Sequence, residues 1–171
     1  MRGAWMVGVA ALALALGLGV GLWKITPGKS ELSPAQIYAT HFEDLAGQAQ
    51  AMGNWRGKVM VINFWATWCP PCREEIPDFI KVSNAYSAQG VSFIGIALDE
   101  RDLVVAFAKE YKVTYPMLLG GNTGHEFAER LGNTSNGIPF TVILNRQGEV
   151  VYVAVGVMHR AELEKQIAKL I

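Results

Sequence analysis

Cysteine and histidine are scarce in this chain: its 171 residues hold two cysteines and three histidines. A structural zinc site wants four ligands of these types. His41, His125 and His159 stand at scattered spacings, and no second cysteine pair joins Cys69 and Cys72. No metal site is therefore expected. An excess of charge of one sign is lacking too. The 15 Lys and Arg balance the 15 Asp and Glu. Nothing here attracts nucleic acid, and no acidic tail argues for disorder. The length leaves room for one globular domain and a short appendage. There is no internal repeat and no low-complexity tract.

What the chain does have is one long apolar run. Residues 4–23 carry no charged side chain. At about 1.5 Å per residue the run reaches roughly 30 Å, the thickness of a bilayer hydrocarbon core. Trp5 and Trp23 stand near its ends, where amphipathic rings favour the interface. Arg2 supplies a positive flank, but Lys24 and Lys29 follow the run. Orientation then rests on a short leading tail staying inside while a long domain translocates. The expected organisation is one transmembrane helix at residues 1–24, a linker at 25–34 and a domain at 35–171. The domain would face the periplasm, or its equivalent outside the cytoplasmic membrane. A cleaved signal peptide is the alternative, since Ala13, Ala15, Gly17, Gly19 and Gly21 crowd the run. The length of the run and Lys24 directly after it favour the anchor. A lipoprotein would need a cysteine after the run, and none is there.

Within the domain, apolar β-rich runs at 59–64 and 91–98 read as strands buried on both faces. A helical pattern follows Cys72, with Ile76, Phe79, Ile80 and Tyr86 on one face. A second amphipathic helix is expected over 102–111, with Asp99 or Asp102 as its cap. A short strand follows at 115–119, then a helix at 126–131 that stops at Gly132. Residues 140–144 and 149–155 form a hairpin about Gly148. A last helix is expected over 161–171, and an early hairpin pairs 42–45 with 49–52 about Gly47. The pattern predicts an α/β fold: a central mixed β-sheet flanked by helices.

The two cysteines lie three apart in Trp65–Ala66–Thr67–Trp68–Cys69–Pro70–Pro71–Cys72, between a buried strand and a helix. A disulfide closing so small a loop restrains the unfolded chain little, so reactivity is the better reason for the pair. Cys69 would sit at the helix N-terminus, where unpaired N–H groups and the macrodipole favour a thiolate. The thiolate is the nucleophile, and a free thiol with a pKa of about 8.5 is only slightly ionised at neutral pH. Pro70 and Pro71 lack N–H groups where none is needed, and they stiffen the loop. Cys69 would attack a disulfide and Cys72 would resolve the mixed disulfide.

This motif, with Gly137–Ile138–Pro139 and Asn54–Trp55–Arg56–Gly57–Lys58, resembles the TlpA/ResA/CcmG branch of the thioredoxin superfamily. The resemblance covers residue 42 to the C-terminus. It implies a thioredoxin-like fold with an N-terminal hairpin and a helix–strand insert at 99–119. It implies that Cys69 is the exposed attacking cysteine and Cys72 the buried one. It makes Pro139 a cis proline beside them, leaving the backbone of Ile138 free to pair with an extended substrate. Pro77 would be the helix-kinking proline. Asn63 stands where many thioredoxins carry a buried aspartate, and an amide takes no proton. Glu75 matches an acidic residue of the branch that would move protons to or from the thiols; complementing the helix dipole is its plainer role. Trp65 and Trp68 would shape the surface around Cys69, with simple packing as the alternative for Trp65. The redox pair itself would be the only cofactor.

The function these features imply is disulfide reduction outside the cytoplasm, where the compartment is oxidising. Electrons would come from a membrane donor of the DsbD/CcdA type. Clients would be proteins whose cysteines must stay reduced, as in cytochrome c or copper-centre maturation. A DsbA-type oxidant, a copper-binding chaperone and a zinc-stabilised module are the competing readings.

Overall fold

The computed structural model describes residues 30–171. The membrane span expected at 1–24 lies outside them, as does the first half of the expected linker. Among the described residues, no helix is long and apolar enough to cross a membrane.

The domain opens with α1 (Pro34–Ala39). A hairpin of β1 (His41–Asp44) and β2 (Ala49–Ala51) follows, turning at Gly47 with φ 82°. Next come β3 (Val59–Trp65), α2 (Pro70–Tyr86), β4 (Val91–Ala97), α3 (Arg101–Glu110) and β5 (Met117–Leu119). The chain ends with α4 (Gly121–Arg130), β6 (Phe140–Leu144), β7 (Val150–Val155) and α5 (Arg160–Ile167). The seven strands form one sheet in the order β2-β1-β5-β4-β3-β6-β7. β3, β4 and β5 run parallel, while β1 and β6 join them antiparallel.

β3 is the centre of this sheet, and all seven of its residues are buried. Side chains alternate along a strand, so β3 feeds two cores. Val59, Val61 and Trp65 face a layer with Phe79 of α2, Phe107 of α3 and Leu163 of α5. Met60, Ile62 and Phe64 face the other layer, with Ile37 of α1 and Phe127 of α4. Asn63 shares the alternation of Val61 and Trp65. It therefore points its polar group into the layer beneath α2.

Several elements depart from the sequence expectation. α1 was not expected at all. Ser33 caps it, accepting the Gln36 N–H at 3.4 Å, while the Gln36 side chain accepts the Ser33 N–H at 2.9 Å. Order reaches further back still, for Leu32 is buried and Glu31 N–H donates to the Arg130 carbonyl at 2.9 Å. α4 begins five residues before the expected 126, and α5 ends at Ile167 rather than at the C-terminus. Neither expected aspartate caps α3. Its N-cap residue is Glu100, with no side-chain hydrogen bond to the helix.

Candidate active site

β3 delivers the chain to the site and α2 carries it away. Between them residues 66–69 turn, and the Cys69 N–H donates to the Ala66 carbonyl at 3.2 Å. Cys69 is the N-cap residue of α2. Pro70 and Pro71 fill the first two helical positions and bring no N–H. The first amide donor of the helix is thus Cys72, and it donates to Cys69 Sγ at 3.3 Å. An N-cap side chain usually offers oxygen to this donor. Here a sulfur takes the place, at the positive end of the helix dipole. Both effects favour the thiolate over the thiol.

The two sulfurs are joined in a disulfide, with Cα atoms 5.3 Å apart. Cys69 retains 3% exposure and Cys72 none. Such access as the pair has therefore belongs to Cys69. The Ile138–Pro139 peptide is cis, as expected. The Ile138 carbonyl oxygen lies 3.9 Å from Cys69 Sγ, so the loop before β6 rests against the sulfur. Asn133 Nδ2 donates to the Gly137 carbonyl at 2.9 Å and holds that loop.

The two tryptophans divide. Trp68 is 66% exposed beside Cys69 and shapes the surface there. Trp65 is completely buried, its ring 4.7 Å from that of Phe107. Of the two roles expected for Trp65 the surface one is corrected and packing is the one observed: its position on β3 turns it into the core.

Glu75 is not a solvated dipole partner. It lies on the face of α2 that also buries Cys72, Ile76, Phe79 and Val82, and is 1% exposed. Residues three apart share a helix face, so its carboxyl belongs to the same buried strip as Cys72. Asn63 Nδ2 donates to Glu75 Oε1 at 2.7 Å, and the Met158 N–H donates to Oε2 at 2.8 Å. Burial pushes the carboxyl up from 4.5 to about 7, against the pull of these two hydrogen bonds. Asn63 also reaches Thr141 Oγ1 at 3.2 Å, across the β3–β6 register. Asn63 and Glu75, read separately in the sequence, are one buried unit. Among the described residues Asn63 Oδ1 has no hydrogen-bond partner. The Tyr115 hydroxyl is buried in the same layer and, among the described residues, has no hydrogen-bond partner either. Burial, then the charge of Glu75, drives it above its ordinary range.

Sequence reasoning missed three contributors to the site. Met158 acts through its backbone, which no side-chain pattern reveals. Asp99 accepts hydrogen bonds from Thr67, in the turn before Cys69. Arg73, directly after Cys72, donates to the Tyr111 hydroxyl at 3.1 Å and lies over the Phe107 and Tyr111 rings. Arg73 thereby ties the start of α2 to α3. Among the described residues, no three His, Cys, Asp or Glu side chains gather as a metal site would need.

An N-cap sulfur with a second sulfur directly behind it is the arrangement a thiol–disulfide exchange needs. Comparison with known proteins points the same way. The Redoxin family model matches residues 33–169. The chain is 32% identical over 124 residues to the thiol-disulfide oxidoreductase ResA of Halalkalibacterium halodurans, covering 72% of this chain and 68% of that one. It is 32% identical over 130 residues to the thioredoxin-like protein YneN of Bacillus subtilis, covering 72% and 71%. A thiol:disulfide interchange protein of the thioredoxin family from Chlorobium tepidum superposes with a TM-score of 0.67 at 28% identity, covering 77% of this chain and 92% of that one. With the disulfide seated where that chemistry requires it, the chain belongs to the Redoxin family, and it is a thiol-disulfide oxidoreductase of the ResA type within the thioredoxin superfamily.

Proposed function

We propose that this oxidoreductase works as a disulfide reductase outside the cytoplasmic membrane, held there by the apolar run at residues 4–23. The observation that carries the reading is the pairing of an N-cap sulfur at Cys69 with the buried Glu75 carboxyl on the face of Cys72. The first lowers the barrier to attack. The second offers a proton acceptor that is half ionised near neutral pH.

The cycle begins from the dithiol. Cys69 thiolate attacks one sulfur of a client disulfide, forming a Cys69–client bond while the other client sulfur leaves as a thiolate. Cys72 then passes its proton to Glu75 and attacks Cys69 Sγ. The Cys69–Cys72 disulfide forms and the second client sulfur leaves. The client gains two electrons and the protein loses two, giving the disulfide state seen in the structure. Trp68 offers the client an apolar surface beside Cys69, and the Ile138 backbone an edge for an extended segment. Return to the dithiol needs two electrons from a membrane donor of the DsbD/CcdA type. Clients are proteins of cytochrome c or copper-centre maturation whose cysteines must be reduced before the metal centre is built.

A Cys72→Ser variant expressed in its own membrane tests this reading. It is expected to accumulate a mixed disulfide through Cys69, and the captured protein identifies the client. Absence of any Cys69-linked species would contradict it. Direction is read by alkylating intact cells. A mostly reduced Cys69–Cys72 pair marks a reductase, and a mostly oxidised pair with an active donor marks a DsbA-type oxidant.

A further inference from the structure

Asp99 lies in the corner that carries β4 into α3, and one of its carboxylate oxygens is given over to Thr67 in the turn before Cys69. Oδ2 accepts the Thr67 N–H at 2.9 Å and also the Thr67 hydroxyl. Oδ1 accepts the N–H of Glu100 at 2.8 Å. Both Asp99 and Thr67 are half-buried. One backbone bond lies alongside, for the Leu98 N–H donates to the Trp65 carbonyl at 2.8 Å. The turn that presents Cys69 is therefore stitched to the β4–α3 corner at two successive points. The other flank of the disulfide is stitched to the same helix by Arg73, through Tyr111. Thr67 has few conformations left, and Cys69 follows it by two residues.

We propose that Asp99 is a positioning residue for the exchange reaction. By fixing Thr67 it sets the turn at residues 66–69, so that Cys69 Sγ stays on the Cys72 N–H and against the Ile138 carbonyl. Both donors of Thr67 are used, which a helix cap would not require. A freed turn lets the sulfur leave the amide that stabilises its anion, so the thiolate fraction falls and attack slows. The role is geometric. It therefore depends on an acceptor at position 99 and not on its negative charge. The inference rests on exchange at Cys69–Cys72.

The test measures the second-order rate of the reduced full-length protein with glutathione disulfide, across pH, for four chains. Asp99→Ala is expected to slow the reaction on the order of tenfold at neutral pH and move the Cys69 titration upward. Asp99→Asn keeps an acceptor for the Thr67 N–H and is expected to stay within about twofold of the natural chain. Thr67→Val deletes the hydroxyl alone and is expected to fall between them. Should Asp99→Ala fail to fold, Thr67→Val and Thr67→Ser carry the test, the first slow and the second restored. Asp99→Ala, or in its absence Thr67→Val, matching the natural chain in rate and pH profile overturns the role of Asp99 alone. A natural chain inert toward glutathione disulfide removes the exchange itself, and the role with it.

Discussion

A carboxyl buried without a cation is held at the expense of its charge, and Glu75 shows both consequences. Its folded pKa of about 7 lies above the ordinary 4.5, chiefly through desolvation. Below pH 4.5 both folded and unfolded forms keep the proton. Between 4.5 and 7 the unfolded chain releases it while the folded chain holds it. Stability is then fully present at low pH and declines as pH rises through that window, by on the order of 3 kcal/mol. Glu75→Gln removes this titration. Urea unfolding at pH 5 and pH 8 is expected to show the natural chain losing stability between them and the variant losing much less. The same substitution is expected to slow the resolving step by Cys72 at pH 8, with the loss of an ionisation near 7 from the rate profile. Unchanged thiol titrations and rates would remove Glu75 from the chemistry. Cys69 and Cys72 are legible in the chain's own motif, and Glu75, Ile138 and Pro139 only through the family resemblance. Their couplings are legible in neither. Asn63 meets Glu75 only because β3 and α2 pack face to face, and Thr67 meets Asp99 only across two parallel strands.

Strands are more legible in this sequence than helices. β3 and β4 announce themselves as unbroken apolar runs, and both are buried almost throughout. α4 was seen only in its second half, because Gly121 and Gly124 weaken the helical signal. One of these glycines lies close against side-chain tips from the neighbouring strand. A Cβ at Gly124 would lie 2.9 Å from Leu98 Cδ2 at the end of β4. α1 starts at the last residue of the expected linker and carries too short an apolar pattern to read as a helix, although Ser33 and Gln36 form a capping box with Pro34 at the first helical position. A six-residue helix depends on its cap and on the burial of Ile37 and Tyr38. Ser33→Ala is therefore expected to destabilise the domain by about 1 kcal/mol. A lower urea midpoint at unchanged slope would register it, and an unchanged midpoint would show the cap to be dispensable.

Across the molecule, one central strand organises both support and chemistry. β3 anchors two apolar layers and ends where the reactive turn begins. The insert of α3 and β5 extends the sheet on one side and braces the disulfide loop from both flanks. Arg101 joins that insert to the early hairpin, donating to the Asp44 carbonyl at 2.8 Å and to Glu43 at 2.5 Å. The attacking sulfur is thus carried by a rigid frame and owes its reactivity to the end of one helix. That Cys69 and Cys72 act there as one reversible redox pair is tested most directly by a redox titration of the full-length protein against dithiothreitol mixtures, quenched by alkylation and read by mass. The account predicts a single two-electron transition in which Cys69 and Cys72 gain or lose their labels together. A pair that stays locked in one state at every potential, or labels one cysteine at a time, would contradict it.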